Sequence, residues 1–299
     1  METRLTLGPL LFNWPAEKRR DFYFRIADEA AVDSVCLGEV VCAKRAPFFD
    51  PHLPEVMERL QAAGKEVVHS TLALINNAAE MEGVRALAAE PDFLIEANDL
   101  ASAALLRGRP HVIGPFVNVY NEGTLGYLAR QGAVRACLPV ELPAASIAVL
   151  ARSGLCDIEV MVFGRLPLAI SARCYHARAH NLHKDGCRYV CEQDPDGMDV
   201  DSLTGQSFLA VNGTQTLSYT VSNLLGDLRS MRDAGVGRFR LSPQDTDMVA
   251  VTRLFREVLD GRQEPGVASE RLAGLMDGVP FSNGFHHATE GLRMVEDAG

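Results

Sequence analysis

Short apolar runs alternate with helix-spaced patterns along most of the chain. LTLGPLLF is the first strand, and a helical stretch follows over 17–31. SVCLG is the second strand. After a loop, PHLPEVMERLQAAG sets Leu53, Val56, Met57 and Leu60 on one helical face, with Gly64 as the stop. EVVHST and FLIEAN are the third and fourth strands, with a helix over 79–88 between them. HVIGPFVNV, VRACLPVE and IEVMVFG supply strands five to seven, with helices near 125–131 and 144–153. RFRLSP is the eighth strand, backed by a helix over 248–259. Eight strand–helix units predict an α/β fold, a (β/α)8 TIM-barrel-like domain whose strands are apolar because both faces are buried. A doubly wound sheet is the alternative, because the pattern does not carry strand order.

The alternation breaks after strand seven. PLAISARCYHARAHNLHKDGCRYVCEQDPDGMDV, from Pro167 to Val200, is polar, rich in cysteine and a poor barrel helix. QSFLAVNGTQTLSYT then reads as two extended runs about the turn-forming pair Asn212 and Gly213. The expectation is a single barrel-like domain over 1–299, with a cysteine-rich excursion at 167–215 and a helix near 221–231 after it. A loop that long needs a clamp, and a metal site would provide one.

Bulk properties narrow the picture only a little. The 299 residues suit one large domain or two smaller ones, and 47% hydrophobic with 23% charged residues is ordinary for a globular protein. A net charge of -10 argues against non-specific binding to nucleic acid or anionic membrane. METRLTLGPLLFNWP lacks a small-residue cleavage site and reads as a strand rather than a signal peptide, and no run approaches a membrane span. Seven cysteines without an export signal imply a reducing, cytoplasmic setting, with free thiols or metal ligands in place of disulfides.

Cys174, Cys187 and Cys191 form the strongest local signal. CRYVC lets two sulfurs approach one centre, and the longer interval lets the loop return to it. Three thiolates need a fourth ligand, and Cys42, which follows strand two, stands where a barrel places its active face. Spacing leaves zinc and a [4Fe–4S] cluster both open. His176, His180 and His183 lie between the cysteines as alternative zinc ligands or solvated groups, and Arg173, Arg178, Lys184 and Arg188 are available to offset thiolate charge. Cys36 and Cys137 sit in apolar strands and read as small buried hydrophobes, and Cys156 has no expected metal role.

Polar residues mark the expected strand ends: Glu39, His69, Ser70, Glu96, Asn98, Asn118, Asn121, Glu141, Ser242 and Gln244. In a barrel these converge on the C-terminal mouth, and Glu39, Glu96 and Glu141 are the candidate catalytic carboxylates. Ordinary salt bridges and helix caps are the competing reading. Dinucleotide, phosphate-loop, His-Glu-x-x-His, nucleophile-elbow and radical-SAM motifs are all absent from the sequence.

LGPLLFNWP, LGEVVCAKR, STLALINN, FLIEANDL, VNVYN, CLPVELP, RLPLAISARC, the Cys187/Cys191 pair, FLAVNGTQT and RLSPQDTD occur in that order. Together they resemble the ubiquinone-biosynthesis branch of the collagenase-like peptidase U32 family. The resemblance implies a barrel-like fold and a [4Fe–4S] cluster held by Cys42, Cys174, Cys187 and Cys191. It further implies a role in oxygen-independent hydroxylation of the aromatic ring, as a heterodimer with a UbiU-like protein and alongside a UbiT-like lipid-binding accessory protein. Prephenate is the oxygen donor that it suggests. Peptidase members carry a further cysteine in a segment like Gly-Ala-Leu-Cys, where Gly164–Pro167 here reads GRLP. The other readings are a noncatalytic electron-transfer or scaffold subunit, and a peptidase.

Overall fold

The computed structural model describes residues 3–296. Its strands are β1 (Arg4–Leu7), β2 (Ser34–Leu37), β3 (Glu66–Ser70), β4 (Leu94–Ala97), β5 (His111–Ile113), β6 (Ala133–Cys137), β7 (Asp157–Ile170), β8 (Met198–Asp201), β9 (Ser207–Asn212), β10 (Gln215–Asn223), β11 (Arg238–Leu241) and β12 (Phe281–Ser282). The helices are α1 (Ala16–Glu29), α2 (Ala46–Phe49), α3 (Leu53–Ala62), α4 (Ala78–Ala89), α5 (Leu100–Leu105), α6 (Glu122–Arg130), α7 (Ala144–Arg152), α8 (Tyr175–Ala179), α9 (Leu228–Asp233), α10 (Met248–Leu259) and α11 (Pro265–Leu275). Strands β1 to β7 pair in sequence and in parallel, and β11 pairs with both β1 and β7, so eight strands close into a barrel with helices around it. The fold is a TIM-barrel-like α/β fold. Asn77, Asp99 and Asn121 cap α4, α5 and α6 by accepting backbone N–H bonds, which explains where those helices begin.

The two faces of the barrel strands differ in character. Leu5, Leu7, Val35, Leu37, Ile95, Ile113, Val160 and Phe239 face the helix layer and form one continuous core with Tyr23, Ile26, Val56, Leu60 and Phe255. The inward face was expected to be apolar as well, but it carries only a small apolar layer of Cys36, Val68 and Val112. Paired charges share that interior. Arg240 pairs with Glu96 and, at 2.8 Å, with Glu159; Arg135 and Arg238 reach Glu66 at 2.6 and 3.4 Å. Three guanidinium groups therefore meet three carboxylates inside the ring. That balance makes burial tolerable, because an unpaired ion there would be very costly.

Strand β7 departs most from the sequence reading. It does not stop at Gly164 but runs on through Ile170, and its second half pairs antiparallel with β10. Gly164 sits at the departure from the barrel with φ +113°, and a Cβ there would lie 2.7 Å from that of Ser242. Pro167, which donates no N–H, falls at Leu217 where the register shifts. Strands β9 and β10 form a hairpin whose two loop residues are Gly213 and Thr214, so Asn212 is the last paired residue rather than a turn residue. The helix expected over 221–231 is shorter, because the β-branched run through Val221 keeps 215–223 extended and leaves only Leu228–Asp233 helical. Helices α5 and α11 and the short β12, which pairs with β10, had no sequence counterpart. Among the described residues no helix is long and apolar enough to cross a membrane.

Replacing Arg240 by alanine leaves Glu96 and Glu159 buried without their shared cation. We expect Arg240→Ala to lose about 3–5 kcal/mol in denaturant unfolding, the cost of breaking a buried pair from one side. A loss under about 1 kcal/mol would show that the interior charges are solvated.

Candidate metal centre

Cys42, Cys174, Cys187 and Cys191 line one recess, together with Lys44, Arg45, Lys184, Tyr189, Val190 and Gly213. It holds ≈ 340 Å³ of empty space, counting the part open to solvent. Cys42 comes from the loop after β2, Cys174 caps α8, and Cys187 and Cys191 flank a tight bend. In that bend Arg188 and Tyr189 both have positive φ, at 50° and 54°, although neither is glycine. Such strain persists only where surrounding structure holds it. Cys36 and Cys137 are buried in the barrel interior, and Cys156 is partly exposed, all three away from this recess.

The recess is built around a buried cation. Arg45 is 3% exposed, and its guanidinium donates to the carbonyl of Leu11 at 3.0 Å and to Oδ1 of Asn212 at 2.8 Å. Asn212 is fully buried and uses its whole amide. Oδ1 also accepts from the N–H of Asn13 at 3.2 Å, and Nδ2 donates to the carbonyls of Cys191 and Asp194 at 2.9 and 2.8 Å. Thr214 donates to the carbonyl of Val41, and the thiol of Cys174 lies 3.2 Å from the carbonyl of Gly213. Gly213 is required twice over: its φ is +69°, and a Cβ would stand 2.2 Å from Nη2 of Arg45. The β9–β10 turn thus holds the Cys42 loop on one side and the Cys174 and Cys191 loops on the other.

Burial raises the thiol pKa values of Cys42, Cys174 and Cys191, and Arg45 pulls each of them back. For Arg45 itself burial acts downward, but Glu39 and the sulfurs of Cys191 and Cys42 outweigh it and the net shift is upward. Metal-free, these three thiols hold their protons at neutral pH, so loading a metal releases protons and tightens as pH rises.

The sequence profile of peptidase family U32 matches residues 23–293. The chain belongs to peptidase family U32. Among solved structures, the U32 peptidase Mk0906 gives a TM-score of 0.47 at 10% identity, over 81% of this chain and 93% of that one. A chain of the tryptophan synthase complex from Pyrococcus furiosus gives 0.43 at 12% identity, over 93% and 100%. Dihydropteroate synthase (FolP) from Thermus thermophilus gives 0.40 at 14%, over 87% and 93%.

The three candidate carboxylates of this U32 member do not meet. Oε1 of Glu39 accepts from the N–H groups of Val41 and Cys42, both at 3.0 Å, and its charge faces Arg19 and Arg45 at 3.8 and 4.0 Å. It shapes the Cys42 loop. Glu96 is fully buried in the barrel interior, bound by Arg240, Ser70 and Asn98. Glu141 is exposed at the mouth, where it accepts from Tyr120 and lines a recess of ≈ 660 Å³ of empty space, counted in the same way, with Phe116, Asn118, Leu168 and Ile170. That hydrogen bond pushes the Tyr120 hydroxyl up to about 12.

Other strand-end residues also diverge. His69 points outward, stacked on Phe93 at 3.9 Å, and burial lowers its pKa to about 4. Asn121 caps α6, and Gln244 donates to the carbonyl of Pro243. Leu11, Val40 and Val41 pack with Cys42, Ala73 and Phe116. Ala73 and Phe116 also line the Glu141 recess, so this cluster connects the mouth to the thiols.

The sequence carries no expectation for Arg45, and for Asn212 only that of a turn residue. The available signal was LGEVVCAKR and FLAVNGTQT, where a lone arginine and an asparagine look like loop residues. Removing the amide strands a buried guanidinium and two carbonyls. We expect Asn212→Ala to lose about 3 kcal/mol, from several unsatisfied buried groups, and to speed amide hydrogen exchange across 187–197. Unchanged exchange there would mean that the amide does not hold the cysteine loop.

Proposed function

We propose that this chain is a UbiV-like iron–sulfur subunit of oxygen-independent ubiquinone biosynthesis. It would act in the cytoplasm with a UbiU-like partner in hydroxylation of the aromatic ring. The observation that carries this reading is the convergence of Cys42, Cys174, Cys187 and Cys191 on one recess beside Arg45. The segments that bear the resemblance to the ubiquinone branch include those that build the recess.

The donor set fits a [4Fe–4S] cluster, whose four irons each take one thiolate. The described residues contain one trio of His, Cys, Asp or Glu with ligand atoms all within 4.8 Å, and it includes no cysteine. A tetrahedral zinc with bonds of about 2.3 Å would hold its sulfurs about 3.8 Å apart. The wider set suits a polynuclear centre better. Bound there, a cluster would supply one-electron transfer. The chain itself would hold it against a buried guanidinium that offsets the charge of the thiolates, with Lys44 and Lys184 at the rim. A UbiT-like lipid-binding protein and prephenate as oxygen donor belong to the same proposal.

A scaffold or electron-transfer role draws on a specific observation. Glu39 and Glu96 are engaged in structural bonds; Glu141 lines the recess at the mouth, and Glu39 also borders a separate recess beside α4. If the chain is catalytic, Glu141→Gln lowers anaerobic quinone formation with iron content intact; equal quinone formation favours the scaffold. Peptidase chemistry is raised by the family name, and hydrolysis of a defined peptide by cluster-free protein would support it. Anaerobic purification followed by iron and sulfide analysis tests the cluster. The expected result is about four of each per chain, falling sharply in Cys42→Ser, Cys174→Ser, Cys187→Ser and Cys191→Ser. Protein without stoichiometric iron and sulfide would end the proposal.

A further inference from the structure

Helix α8 places His176 and His180 one turn apart, with rings 3° from parallel and centroids 5.5 Å apart. Asp194, three residues beyond Cys191, faces them. A ring nitrogen from each histidine and a carboxylate oxygen of Asp194 all lie within 4.8 Å of one another. His176 is fully buried, while His180 is exposed. Asp194 is held from behind by the bond from Asn212 to its carbonyl.

Both ring nitrogens of His176 face oxygen. Nδ1 is 3.3 Å from the carbonyl of Val211, and Nε2 is 2.9 Å from Oδ2 of Asp194. A neutral imidazole has one N–H, so one of these contacts sets a lone pair against an oxygen. The buried Nε2 has no hydrogen-bond partner despite its closeness to the carboxylate. A cation between Nε2 and Oδ2 removes the conflict. Nδ1–H then donates to Val211, the kind of backbone bond that orients metal-binding histidines. In an octahedral site with bonds of about 2.1 Å, adjacent ligand atoms stand about 3 Å apart, close to the 2.9 Å between Nε2 of His176 and Oδ2 of Asp194.

We propose that His176, His180 and Asp194 form a second metal site, distinct from the four thiols, for a divalent first-row transition ion. Two imidazoles and one carboxylate suit iron(II), cobalt(II), nickel(II) or zinc far better than magnesium or calcium. His180 sits at the surface, so the remaining coordination positions open to solvent. An ion here would tie α8, which Cys174 caps, to the segment that follows Cys191.

Cobalt(II) is the probe. Anaerobically prepared full-length protein is titrated by calorimetry and by visible absorption, as wild type, His180→Ala, Asp194→Asn and a Cys42→Ser/Cys187→Ser double variant. We expect the cysteine variant to bind one cobalt whose d–d bands lack thiolate-to-metal charge transfer, and wild type to take up the same equivalent by calorimetry. Loss of that equivalent in His180→Ala and Asp194→Asn supports the site. Equal uptake by wild type and His180→Ala would overturn it. So would uptake that vanishes only in the cysteine variant, or nitrogen NMR showing His176 as an imidazolium that ignores added cobalt.

Discussion

A guanidinium kept from water governs the architecture around the thiols. Arg45 is buried between the loop after β1, the loop after β2 and the β9–β10 turn, and each of them supplies part of its coordination. Because an unpaired buried cation is prohibitive, these three segments must arrive together or not at all. Asn212 makes the requirement mutual. The same amide that accepts from Arg45 donates to the carbonyls of Cys191 and Asp194, so fixing the cation also fixes the cysteine loop. Sulfurs more than a hundred residues apart in sequence thus depend on one short polar network.

The barrel below supports that network with charges of its own. Arginine and glutamate fill much of the inward face in balanced pairs, leaving a small apolar layer beneath the mouth. Glu96 belongs to this interior and Glu39 to the Cys42 loop, so two carboxylates at strand ends are committed to holding the fold. The mouth keeps Glu141, and a small apolar cluster at Phe116 and Ala73 joins it to Cys42.

Much of the fold was legible in the chain. Eight apolar runs fell on the eight barrel strands, because barrel strands and their helices leave separate periodicities. The long β7 was not, because Gly164 and Pro167 look like a strand end when read locally, and only pairing with β10 extends them. The polar interior was equally hidden: Arg135, Glu159 and Arg240 look like ordinary solvated charges until the ring closes on them. Cys174, Cys187 and Cys191 stood out by type and spacing, and Cys42 by its place after β2. Asn212 and Arg45 did not, since their value lies in bonds across 167 residues of sequence. His69, read as a mouth residue, faces outward because strand alternation turns it toward Phe93.

The central claim is that these four sulfurs close around one four-iron cluster. Mössbauer spectroscopy on protein enriched in iron-57 and prepared without oxygen tests it most directly. The account predicts the quadrupole doublet of a diamagnetic, valence-delocalised four-iron cluster, with one iron site altered when a single ligand cysteine is replaced. A spectrum of isolated tetrahedral iron, or of iron unaffected by any of the four replacements, would contradict it.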